Sequence, residues 1–137
     1  MLFNPIEPHE AAAFLRTQDA PAMLDVFTST PDSQWYAART PDGTLLGVSA
    51  FAPTIEVQER QFQNTVYAFV PAADRGKNIG SFLLIWTLLQ HQSATGFTGL
   101  SEAPDAQTRL FLQRNHFHLL GAASPSDDML VYVRHDA

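Results

Sequence analysis

An α/β fold with one mixed sheet flanked by helices is the architecture this sequence predicts, and three observations predict it. Three strand-like stretches follow one another between residues 34 and 70, rich in aromatic and β-branched residues. A strand stopped by Pro71 then leads through a short polar, glycine-containing loop into the clearest helix of the chain. Beyond it come a strand, a helix and two closing strands, so the order reads (β)ααβββαβαββ. Three consecutive strands before the central helix exclude the strict alternation of a doubly wound nucleotide-binding sheet. The sheet is expected to be mixed, and largely antiparallel at first.

The elements follow in order. Residues 2–6 form a short strand. Pro8 to Gln18 reads as a helix with Ala11–Ala13, Phe14 and Leu15 on its apolar side. Ala20 to Phe27 reads as a second helix, with Pro21 suited to the first turn. Gln34–Thr40 and Thr44–Ala52 are strands joined by the turn signal Pro41-Asp42-Gly43, and Pro53 is expected to end the second. Phe62–Val70 is the third strand. Ile79–Gln92 is a helix apolar nearly all round, which predicts burial against the sheet. Phe97–Ala103 is a strand. Asp105–Asn115 is a helix that Asp105 is placed to cap. Phe117–Ala122 and Met129–Arg134 make the closing pair. The stretches Pro31–Ser33 and Pro125–Asp128 are loop-like and too short to separate domains, so residues 1–137 are expected to form a single domain.

Composition narrows the function. With 45% apolar and 16% charged residues the chain is globular material. Its longest wholly apolar runs, such as Phe82–Trp86, fall far short of the ~20 residues of a membrane span. The start, MLFNPIEPHE, has no basic residue and is not expected to be a secretory signal. There is no cysteine, which excludes disulfides, a thiol nucleophile and thiolate metal sites. A cytoplasmic location is expected. A net charge of −6 with only eight Lys and Arg argues against nucleic acid and suits cationic partners.

The informative stretch is Val66 to Trp86, VYAFVPAADRGKNIGSFLLIW. N–H groups at a helix start lack intrahelical partners, and the helix dipole adds positive charge, so together they bind phosphate. Gly76 and Gly80 let the backbone approach an anion, and Arg75 and Lys77 add positive charge. Neither GxxxxGK[ST] nor GxGxxG is present.

This stretch resembles the signature of the GNAT N-acetyltransferase superfamily: a strand ending in a Val-x-Pro-like stretch, then Arg/Gln-x-x-Gly-x-Gly/Ala opening a helix. Arg75 and Gly80 match, and Asn78 stands at the first glycine. The element order resembles that of the family across nearly the whole chain. The family's Leu-Tyr-x-x-x-Gly-Phe segment aligns with residues 111–117: Phe117 matches, His116 replaces the glycine, and Leu112 replaces the tyrosine that often serves as general acid. The asparagine that commonly precedes that helix aligns with Asp105.

The resemblance implies a GNAT-like fold and an N-acetyltransferase that moves an acetyl group from acetyl-CoA to a primary amine. The alternative is a catalytically silent acyl-CoA-binding sensor or interaction domain. It implies coenzyme contacts from Phe69, Val70, Arg75, Gly76, Lys77, Asn78, Ile79, Gly80, Ser81 and Asp105, with a backbone N–H near Val70 polarising the thioester carbonyl. Where some family members carry a glutamate base this chain has Asn64, which favours the silent alternative, as does Leu112. Glu102 and Ser101, at the end of the next strand, are the candidates for the base, and Tyr67 for the acid. Strand alternation puts Tyr67 on the face opposite Asn64 and Val70. Leu112→Tyr is expected to raise turnover or leave it alone. His116 and His118 would share a strand face, but no third ligand is evident and no metal is expected. Trp35 and Trp86 are read as core. The expected partners are acetyl-CoA and a small amine or peptide amine, with homodimerisation left open.

Overall fold

A computed structural model describes residues 1–122 and 128–135 of the chain. Most of the loop-like stretch from Pro125 lies outside the described residues. The elements are β1 (Leu2–Ile6), α1 (Pro8–Arg16), α2 (Met23–Thr28), β2 (Gln34–Arg39), β3 (Leu45–Val57), β4 (Arg60–Phe69), a 3₁₀ turn (Ala72–Asp74), α3 (Ile79–Leu89), β5 (Phe97–Glu102), α4 (Ala106–Arg114), β6 (His118–Ala122) and β7 (Met129–Arg134). The seven strands form one sheet in the order β1-β2-β3-β4-β5-β7-β6. Among the described residues only β4 and β5 run parallel; every other pairing is antiparallel.

Alternation along the strands builds a core on each face. On one face Ala11, Leu15, Leu24 and Phe27 of α1 and α2 pack on Trp35, Val48, Ala50, Tyr67 and Phe69. On the other, Ile79, Leu83, Leu84 and Leu88 of α3 and Leu112 of α4 pack on Tyr36, Phe51, Val66 and Val70. Thr87 donates to its own helix at Leu83 O, 2.7 Å away, so its 2.6 Å contact with Ser49 must take the serine's proton. That buried bond ties α3 to β3. Trp86 packs on Phe3 and Tyr36, and Trp35 is buried, as expected of core tryptophans.

Several boundaries differ from expectation. β3 runs through Pro53 to Val57 and turns back into β4 at Gln58-Glu59. β2 ends its pairing with β3 at Phe51, so Pro53 lies where β3 has no neighbour on that side, and an edge tolerates a missing N–H. The turn residues have φ of 52° and 65°, the mirror-image type that suits a two-residue hairpin, without the usual Asn-Gly signal. α2 starts at Met23 and not at Ala20, so residues 18–22 are a connection. α1 and α3 end at Arg16 and Leu89, earlier than their patterns suggested. Nor is α3 buried all round: Phe82 and Leu89 are 56% and 44% exposed.

The end of α4 explains a departure noted in the sequence. Phe117 N–H bonds Leu112 O at 3.0 Å and His116 N–H bonds Gln113 O at 3.2 Å, the two bonds of a Schellman stop. His116 takes the left-handed conformation, φ 66°, that such a stop reserves for glycine. It therefore lies outside β6, which starts at His118, and the two histidines do not share a strand face. Among the described residues no group of three or more His, Asp or Glu is placed to hold a metal ion. We expect His116→Gly to raise stability by about 1 kcal/mol, read from the urea midpoint, because it relieves a left-handed side chain.

Candidate active site

β4 and β5 pair only at Thr65↔Thr98 and Val66↔Gly99. Beyond Val66 they separate, and from Tyr67 to Phe69 β4 pairs with β3 alone. Its alternate backbone N–H and C=O groups therefore face a wedge between the two strands. The alternation that would place Asn64 on the face of Val70 breaks at Asn64 itself, whose φ is 50°; Phe62 consequently packs in the same core as Tyr67 and Phe69.

A cavity of about 450 Å³ opens from the wedge, lined by residues 66–69 of β4 and Val70 just beyond it, the loop and first turn of α3, and α4. Phe69, Val70, Arg75, Gly76, Asn78, Ile79, Gly80, Ser81 and Asp105 all line it. Lys77 does not; its ammonium lies exposed, 3.6 Å from Asp74. Asn78 stands at the N-cap of α3 with φ 62°, the left-handed geometry that the missing glycine would take. Among the described residues no side chain caps α3, so the N–H groups of its first turn remain available to an anion. Gly76 is also left-handed, φ 84°. Arg75 spans the site: its Nε donates to Val70 O at 2.9 Å, its NH1 to Gln107 Oε1 at 3.3 Å, and its guanidinium lies 6.0 Å from the Phe69 ring centre. Ser81 Oγ accepts from Asn115 Nδ2 at 3.2 Å.

A second cavity, about 700 Å³, opens on the α1–α2 side. The connection 18–22, Met23 at the start of α2, the 3₁₀ turn and Glu102 line it. The two cavities share Pro21, Tyr67, Phe69, Arg75, Asp105 and Gln107, so they meet at the wedge. Its ionisable lining is Asp19, Glu102, Asp105, Tyr67 and Arg75, a predominantly acidic set.

The catalytic candidates separate. Glu102 is exposed at the rim of the second cavity. Ser101 is buried, and its hydroxyl donates to Glu102 O at 3.0 Å, which spends its proton on backbone. Tyr67 lines both cavities. Burial pushes its phenol above the ordinary range, the charges of Asp105 and Glu102 add to this, and that of Arg75 opposes it. Leu112 lies in the core against Gly99 and Phe117 and carries no proton to give. Sequence reasoning did not single out Thr108, Gln107 or Phe111. Thr108 was legible only as the third residue after a capping aspartate, whose Oδ1 accepts the Thr108 N–H at 3.1 Å.

No protein-family model and no curated protein sequence matches this chain. Solved structures do. The smu.2055 protein of Streptococcus mutans UA159 is similar over 98% of this chain and 99% of its own, with TM-score 0.73 and 16% identity. A GNAT-family acetyltransferase of Streptococcus pneumoniae covers 99% of both chains at TM-score 0.70 and 14% identity. The ribosomal-protein-alanine N-acetyltransferase of Brucella melitensis covers 98% and 99% at TM-score 0.69 and 14% identity. From the mixed sheet and its parted central strands to these likenesses along nearly its whole length, the chain has the fold of the GNAT acetyltransferases.

Proposed function

We propose that the protein is an N-acetyltransferase that takes acetyl-CoA as acyl donor and a primary amine as acceptor. The observation that carries this reading is the pair of cavities meeting at the parted strands β4 and β5, one bounded by an uncapped helix start and the other acidic. The likeness of fold to acetyltransferases, one of them acting on a ribosomal-protein alanine, supports it.

The residues suit the donor. The first-turn N–H groups of α3, with Gly76, Asn78 and Gly80 keeping the backbone accessible, would hold the pyrophosphate. The side of β4 that faces the wedge at Tyr67–Phe69 would pair with the extended amide-bearing arm. The arm's thioester supplies an activated acetyl group at the wedge. A β4 backbone N–H near Val70 would donate to the carbonyl oxygen as negative charge develops. The acidic second cavity would attract the amine as a cation. Residues 1–137 act as one domain in this reading, with no resident metal and no nucleic-acid or membrane partner. Among the described residues no helix is long and apolar enough to cross a membrane.

The test is release of free thiol from acetyl-CoA in the presence of small primary amines. The reading expects amine-dependent release that saturates in both substrates. Tight acetyl-CoA binding without release from any amine would replace it with a silent acyl-CoA-binding module.

A further inference from the structure

Tyr67 is 7% exposed and packs on Phe27, yet it lies where the two cavities meet. Its Oη is 3.3 Å from Thr108 Oγ1, a contact that joins β4 to the first turn of α4. Thr108 Oγ1 is 2.6 Å from Asp105 Oδ2. Proton counting fixes the direction of both bonds. A hydroxyl has one proton and a carboxylate only accepts, so Thr108 donates to Asp105. Thr108 then has only lone pairs to offer, so Tyr67 donates to Thr108. The chain runs one way, from the wedge towards the carboxylate, and the phenol oxygen keeps acceptor capacity for a donor arriving in the wedge. Glu102, the other carboxylate near Tyr67, has no place in this chain, and Arg75 is engaged with Val70 O and Gln107.

We infer that Tyr67, Thr108 and Asp105 form a one-way proton relay that removes the proton of the acceptor amine, an inference that rests on the transfer reading above. The ammonium that the acidic cavity attracts first gives one proton to solvent; the neutral amine nitrogen then bonds to the thioester carbonyl carbon and the carbon–sulfur bond breaks. The nitrogen's proton passes to Tyr67 Oη, the phenol proton to Thr108 Oγ1, and the threonine proton to Asp105 Oδ2. Asp105 is half-buried and returns its proton to solvent. The electron pair of the broken bond stays on the departing sulfur, which takes a proton from solvent. Tyr67 is the catalytic residue here, while Thr108 and Asp105 act through it.

The competing account is structural: Asp105 caps α4 and Tyr67 merely has a partner. Asp105→Asn separates the two. Asparagine caps a helix start as well as aspartate does. Its NH₂, however, replaces an acceptor and can only donate to Thr108, which reverses the chain. With acetyl-CoA and a panel of ethylamine, ethanolamine, benzylamine and 1,4-diaminobutane, kcat should fall about 100-fold, in the range of a lost proton-transfer group. The loss should persist at saturating acetyl-CoA, and the thermal midpoint should not move. Thr108→Val should lower kcat similarly, and Thr108→Ser, which keeps the hydroxyl, should stay within about threefold of the parent. A folded Asp105→Asn protein at parental kcat overturns the relay, as does a Thr108→Ser protein as slow as Thr108→Val; in both cases the transferase reading survives. A parent protein that releases no thiol with any of these amines fails at the transferase reading itself, and the relay falls with it.

Discussion

Gly80→Val is expected to weaken acetyl-CoA binding at least tenfold, about 1.4 kcal/mol, in a protein that still folds. Gly80 is the second residue of α3. A Cβ there would meet Phe111 Cε1 at 3.1 Å, and Phe111 Cζ and Val70 Cγ2 at 3.5 Å. Phe111 and Val70 both line the first cavity, so a valine side chain enters the gap between the end of β4, α3 and α4 where the anion would approach the backbone. Phe111 is only half-buried and its ring can turn aside, which spares the core. Calorimetry reads the affinity and a thermal melt reads the fold. Parental affinity in a folded Gly80→Val protein would separate this loop from coenzyme binding.

The second large effect is on stability. Leu112→Tyr is expected to destabilise the protein by about 1–3 kcal/mol, as overpacked cores do. This corrects the expectation that a tyrosine here would raise turnover or leave it alone. Leu112 is 4% exposed, and its Cδ2 would lie 2.7 Å from a Cβ at Gly99, with Phe117 Cδ2 at 3.2 Å from the same point. Gly99 is the partner of Val66 at the last paired step before the wedge opens. A tyrosine ring would press on the hinge of the wedge, and a buried hydroxyl there would need a hydrogen-bond partner. The readout is a lower urea midpoint at unchanged slope, with slower thiol release. An unchanged midpoint would show that α4 shifts to admit the ring.

Most of the sheet was legible because its signals are local. Tyr36 and Ala38 alternate with Trp35 and Ala37, and Pro41-Asp42-Gly43 marks the turn in three residues. The loop was legible for the same reason: Arg75, Asn78 and Gly80 are contiguous with the helix they open. What escaped depends on neighbours distant in sequence. Pro53 reads as a stop until the sheet shows that β3 has lost its β2 partner there. Gln58-Glu59 carries no turn signal, and only the pairing of Val57 with Arg60 forces the positive φ values. The exposed face of α3 was read as buried because periodicity reports apolarity and not coverage. The second cavity comes from a motif-free connection, and the Tyr67–Thr108 contact joins residues on a strand and a helix that no spacing rule links.

The most direct measurement is a calorimetric titration of acetyl-CoA into the parent protein. The account predicts saturable binding of one coenzyme per chain, in the ~1 μM to 1 mM range usual for enzyme substrates, that desulfo-pantetheine fragments lacking the pyrophosphate do not reproduce. Absence of saturable heat, or equal affinity for a fragment without pyrophosphate, would contradict it.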